Sequence, residues 1–211
     1  MPVGPPTVPV DRLASEGWTE LERAEWTPFD ARLVAVDANS VAYEDGALRH
    51  RIYDDTGLDR PWRIFVAARL AHRPSVPRSR ALTAFVAGRV LDGFGDTLAE
   101  RGFADVRRTD RAEGGGDLDE RLREDGRSTG DERSRFAEYA AACSVGSVSL
   151  RTRGLAGVRP VDEGYVLAGG AYPETVRDAP DPETAHALER HLEPDRFEVD
   201  LQELIRETHR E

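Results

Sequence analysis

Apolar residues between positions 80 and 101 recur at spacings of three and four: Leu82, Phe85, Val86, Val90, Leu91, Phe94 and Leu98. That is the period of a helix with a single apolar stripe, and it predicts a long helix over 80–101 that stops at Gly102. Gly88, Gly93 and Gly95 interrupt it. Each weakens a helix by about 1 kcal/mol relative to alanine, so their presence argues for close approach to a sheet.

Elsewhere the period is two. Gly17–Trp26 alternates, with Trp18, Ala24 and Trp26 on one parity, and reads as an edge-like strand that Pro28 interrupts. Residues 31–44 form a long β-rich run, bent near Asp37–Ser40. Residues 62–72 (WRIFVAARLAH) are aromatic, β-branched and stopped by Pro74, and 103–111 reads as a further strand. Between them, 45–56 places Leu48 and Ile52 four apart before Gly57, the pattern of a short helix. The second half predicts strands over 133–144, 147–156, 158–161 and 165–172, with Asp162-Glu163-Gly164 as a hairpin turn. Gly169-Gly170 suits a bulge or tight bend in the last of these. A helix follows over 182–192, capped by Asp181 with Pro182 in its first turn. A last one over 199–209 carries Val199, Leu201, Leu204 and Ile205 on one stripe.

Strands on both sides of one long helix, without a regular βαβ rhythm, place the chain in the α+β class. The expected architecture is a largely antiparallel sheet with helix 80–101 packed across a face, plus C-terminal helices. Along the chain this gives an extended proline-rich arm over 1–16, an α+β domain over 17–176 and a helical tail over 177–211.

Composition adds one constraint. Forty acidic residues face 29 basic ones, for a net charge of -11, and every basic residue is arginine. Self-repulsion of that size weakens a compact state in dilute buffer. At molar salt the Debye length falls to about 3 Å and the repulsion is screened. A lysine void with an acidic excess therefore fits a salt-accumulating cytoplasm, although GC-rich coding favours arginine as well. Arginines interleaved with acids give no basic patch, which disfavours nucleic acid. No stretch approaches the roughly 20 apolar residues that span a bilayer, and MPVGPPTVPV has neither a basic n-region nor an apolar h-region. The expectation is a cytoplasmic protein without membrane association.

The pieces WRIFVAARL (62–70) and YVLAGGAYP (165–173), on this acidic background, resemble an uncharacterised family of halophile proteins. The layout is similar to the PsbP-like α+β fold. The resemblance covers about two-thirds of the chain; it implies a fold and carries no catalytic signature.

Residues 126–130, GRSTG, match G-x-S-x-G, the nucleophile elbow of serine hydrolases. An elbow needs an apolar strand ahead of the serine, and LDERLREDG (118–126) is mostly charged. The stretch 112–131, with Gly114-Gly115-Gly116, therefore reads as a loop, and Ser128 as an exposed turn residue away from any histidine. His186 and His191 are five apart, off the i, i+4 spacing of a helical metal pair. A lysine-dependent phosphate loop is impossible without lysine. Cys143, among alanines, reads as a small buried hydrophobe. No metal or cofactor is expected.

Two functions remain. The first is a non-enzymatic interaction or binding protein, whose arm and tail dock on a protein partner or on a second copy. The alternative is a small-molecule-binding protein or enzyme with a pocket between sheet and helix, lined by Trp62, Arg69, His72, Tyr165 and Tyr172. Convergence of two or more of these in a deep pocket favours the alternative; a filled core with an exposed apolar patch favours the first.

Overall fold

The alternating segments form seven strands of one antiparallel sheet in a computed structural model that describes residues 3–30, 35–73, 80–109 and 134–210. The strands are β1 (Trp18–Asp30), β2 (Ala35–Asp45), β3 (Ile64–Arg73), β4 (Phe103–Thr109), β5 (Arg135–Val145), β6 (Val148–Val161) and β7 (Gly164–Asp178). Their order across the sheet is β1-β2-β3-β7-β6-β5-β4. The helices are α1 (Val10–Ser15), α2 (Gly46–Thr56), α3 (Arg80–Glu100), α4 (Pro182–Glu189) and α5 (Pro194–Arg210). The protein is thus α+β, with the long helix and the C-terminal helices where the periodicity puts them.

Both faces of the sheet are covered. On one face α3 lays Leu91, Phe94 and Leu98 against Leu70, Tyr139, Val158 and Leu167. On the other, α1, α2, α4 and α5 bury Leu13, Leu48, Ile52, Leu188, Leu201, Leu204 and Ile205 against Val41, Phe65 and Ala168. Each fully buried aliphatic side chain contributes about 1.5–3 kcal/mol, so the two layers share the stabilisation. Asp45 caps α2, accepting a 2.8 Å hydrogen bond from the Leu48 amide, and Gly57 ends that helix in the left-handed conformation. Asp181 caps α4 in the same way, through the Thr184 amide at 2.7 Å.

One buried cation joins the second layer to the sheet. The guanidinium of Arg63, 6% exposed, binds Asp45 at 2.9 Å and Asp200 of α5 at 3.3 Å. It also lies over the rings of Trp18 (5.0 Å) and Phe197 (4.3 Å). The first and last elements meet as well: Arg12 of α1 donates to Glu203 and Glu207 of α5 at 2.8 and 2.9 Å. Ahead of α1 the chain runs past β2, where the Asn39 side-chain amide donates to the Val3 carbonyl (3.3 Å), and Val8 joins the core.

Several expected details differ. The arm contains α1, a single helical stretch ahead of the sheet. β1 continues through Pro28, which sits in a register shift between Trp26 and Phe29, a place where an edge strand tolerates a missing N–H. β2 pairs with β3 without interruption through Asp37–Ser40, and the irregularity near Asp37 lies in its pairing with β1. β6 likewise runs unbroken through Gly157, whose missing side chain makes room for Phe136 and His209. Gly169-Gly170 is not a bulge either, since its ladder is regular. A side chain at Gly170 would strike the Ile64 carbonyl and approach Leu201 of α5 to 2.8 Å. Glycine there lets α5 lie close on the sheet. α4 ends at Glu189, short of 192, while α5 begins at Pro194, five residues ahead of 199. Its buried stripe therefore uses Phe197, and Val199 is 52% exposed. On α3, Phe85 is 67% exposed and takes no part in the buried stripe. Of the helix glycines, Gly95 approaches the Tyr139 ring, whereas Gly88 and Gly93 face open space.

Near the end of α5, His209 is buried beside Phe136, with Arg159 close by. Burial, and then the charge of Arg159, push its pKa down to about 4. The unfolded chain takes up this proton near pH 6.5 and the folded chain only near pH 4. Stability is therefore expected to fall as pH is lowered across that window, by up to about 3 kcal/mol. Denaturant midpoints measured from pH 7 to pH 4 check this, and His209→Leu is expected to flatten the profile.

Candidate functional site

Beside α5, the sheet face it covers opens into a half-open groove of about 530 Å³ over β4–β7. Its floor comes from alternate residues of β5 and β6, including Ala140, Ala142, Arg153 and Leu155, and its α5 wall from Glu198. Charged side chains dominate the rim.

Three of those charges sit where strands are irregular. The β6–β7 ladder passes from Ser149↔Asp178 to Leu150↔Val176 and from Arg151↔Thr175 to Thr152↔Pro173. Arg177 and Glu174 are the residues left over, and both line the groove. On β4 the pairing jumps from Ala104 to Arg107, and Asp105 there adopts φ 53°, a left-handed conformation that aspartate tolerates better than most residues. Bulges re-aim side chains and gather next to binding sites. Here they bring Asp105, Glu174 and Arg177 to one opening, with Arg107 beside them.

The electrostatics are uneven. Glu174, its side chain 18% exposed, accepts from Arg153 Nε at 2.8 Å and faces Arg151 Nε at 3.8 Å. Tyr172 is buried and donates to Glu198 at 3.3 Å, while Gln202 donates to the other Glu198 oxygen at 2.9 Å. Burial, reinforced by the Glu198 charge, holds the Tyr172 phenol well above its usual pKa. It is a neutral hydrogen-bond donor, not a nucleophile or base. Arg107 and Arg177 have no carboxylate partner among the described residues. In a chain of net charge -11, the groove is locally neutral, its four arginines (Arg107, Arg151, Arg153 and Arg177) balancing Asp105, Glu138, Glu174 and Glu198.

The five residues anticipated as a pocket lining do not converge. Tyr172 alone lines the groove. Trp62 is buried in the α5-side core, its indole nitrogen without a partner among the described residues. Arg69 is half-buried on β3, between Asn39 and Val166. His72 and Tyr165 do meet, ring centroids 5.7 Å apart, but in a separate place, on the α3 side. Ser128 and the stretch 112–131 lie outside the described residues. Sequence reasoning missed Arg107, Arg153, Glu174, Arg177 and Glu198. One signal was available: Arg151 and Arg153 break an otherwise small and apolar strand pattern in SVSLRTRGLAG.

These features define a two-sided α+β protein, a seven-stranded antiparallel sheet sheathed by helices on each face, with a charged groove beside the last helix. The chain belongs to the family described as a domain of unknown function (DUF6517), whose profile matches residues 5–209 and so takes in both the N-terminal helix and α5. No curated protein and no solved structure matches it. Among the described residues no helix is long and apolar enough to cross a membrane.

Proposed function

We propose that this is a non-enzymatic binding protein of a salt-adapted cytoplasm, and that it takes a small anionic molecule in the groove between sheet and α5. The observation that carries this reading is the pair of guanidiniums, Arg107 and Arg177, that have no carboxylate partner among the described residues, on a groove where Glu174 is already engaged by Arg153 and faced by Arg151. Arginine presents a planar fork suited to carboxylate or phosphate oxygens. The groove's buried phenol is a neutral donor, which supports binding over catalysis. Free, buried Cys143 fits a reducing compartment. The antiparallel sheet flanked by helices supports a PsbP-like layout as part of the same proposal.

Native mass spectrometry of protein purified at molar KCl is the test. The expected result is a small-molecule adduct that is absent from the Arg107→Ala/Arg177→Ala variant. A second reading, docking of a protein partner or of a second copy, has the exposed Phe85 in its favour. An adduct-free wild type that migrates with a protein partner or as a dimer would favour that reading instead.

Salt adaptation has its own measurement. With net charge -11 and no lysine, the thermal midpoint is expected to rise clearly between dilute buffer and molar KCl. Equal midpoints would remove the salt-adapted part of the proposal.

A further inference from the structure

On the opposite side of the sheet from the groove, two polar side chains meet with nothing to bond. Tyr165 is 1% exposed and, among the described residues, neither its hydroxyl nor either ring nitrogen of His72 has a hydrogen-bond partner. The two rings stand edge to face, centroids 5.7 Å apart and 87° between planes, and no hydrogen bond joins them. The topology explains their meeting. β7 begins at Gly164, and Leu70↔Tyr165 is its last pairing with β3. His72 lies two residues beyond Leu70 on the same face, diagonal to Tyr165, where β3 has β2 on one side and no β7 residue on the other. The strand end thus leaves a polar corner behind the α3 layer.

Three orphaned polar atoms in one corner are costly. Each loses its bonds to water on folding, and buried polar atoms in native proteins almost always have a partner. Scattered orphans elsewhere, such as the Trp62 indole nitrogen, are single atoms; here three belong to two rings in contact. Burial lowers the His72 pKa and so favours the neutral ring, in which one nitrogen donates and the other accepts. The Tyr165 hydroxyl does both. A hydroxyl, which donates and accepts at once, answers this set in either imidazole tautomer without placing a charge in a buried corner.

We propose that His72 and Tyr165 form a second binding site, one that holds a hydroxyl group bridging the imidazole and the phenol, contributed by a trapped water or by a small alcohol or polyol. The site is independent of the anion groove and survives if that reading fails.

Tyr165→Phe removes only the hydroxyl and tests the proposal by the sign of its effect. Deleting an unused buried hydroxyl leaves stability unchanged or raised, whereas deleting one that holds a bound group lowers it. The expected outcome is a melting temperature lower by about 2–4 °C. A high-resolution crystal structure of the wild type is expected to show density within roughly 2.6–3.2 Å of both Tyr165 Oη and a His72 nitrogen. An isolated peak identifies water; extended density matched by a co-purified mass identifies the organic hydroxyl. Should Tyr165→Phe fail to fold, nitrogen NMR of the wild-type His72 ring provides the readout, with one of its two nitrogens expected at a hydrogen-bonded position. A dry corner in the crystal, a Tyr165→Phe variant at least as stable as wild type, or both ring nitrogens at the shifts of a free imidazole would each overturn the proposal.

Discussion

The fold depends on one buried cation. Placing a guanidinium and a carboxylate in the interior has a desolvation penalty of several kcal/mol per ion, so a buried pair by itself is weak evidence for stability. The Arg63 site is arranged to offset that penalty. Asp45 uses one oxygen for Arg63 and the other for the first turn of α2, while Trp18 and Phe197 present their π faces to the same cation and Asp200 supplies a second carboxylate. The Arg63 carbonyl also accepts the Asp45 amide at 3.2 Å. A single side chain thus fixes β1, the β2–α2 corner and α5 relative to β3. Hydrophobic burial contributes more energy in total, but it is non-directional; the ion cluster sets which way α5 lies.

The position of α5 in turn makes the groove. Gly170 allows the helix to sit close on the sheet, and Leu201 fills the space a side chain there would occupy. Glu198, on the same helix, then reaches Tyr172 and forms the groove wall. The opposite wall depends on strand irregularities, which expose Asp105, Glu174 and Arg177. On the far face, α3 is held by apolar contact and by the Tyr139 hydroxyl, which donates to the Leu91 carbonyl at 2.6 Å. Arg101, just past α3, reaches Glu22 on β1 at 2.6 Å, although β1 and the β4 that Arg101 leads into are opposite edges of the sheet. The sheet therefore curls around this helix.

Elements whose cause is local were readable in the sequence. The α3 stripe, the Asp45 and Asp181 caps, Gly57 and the hairpin at Asp162-Glu163 depend on residues within a few positions of one another. What could not be read depends on partners far along the chain. Gly157 and Gly169-Gly170 look like strand breakers alone, and become contact points only once His209 and α5 are in place. Pro28 ends a strand by propensity, yet an edge position with a register shift accommodates it. The groove was the least legible feature. Its charges come from β4, β5, β6, β7 and α5, and bulges leave almost no compositional trace. Aromatic residues drew attention to Trp62, His72, Tyr165 and Tyr172, which the sheet divides between its two faces.

The most direct measurement of this account is amide hydrogen exchange on Arg63→Met at molar salt, where the repulsion among surface acids is screened. The substitution leaves Asp45 and Asp200 without their cation, and breaking such a buried pair costs about 3–5 kcal/mol. If one guanidinium aligns the whole layer, α2 and α5 are expected to lose protection together while α3 keeps most of its own. Loss confined to the few amides around position 63, with α5 as protected as in the wild type, would contradict it.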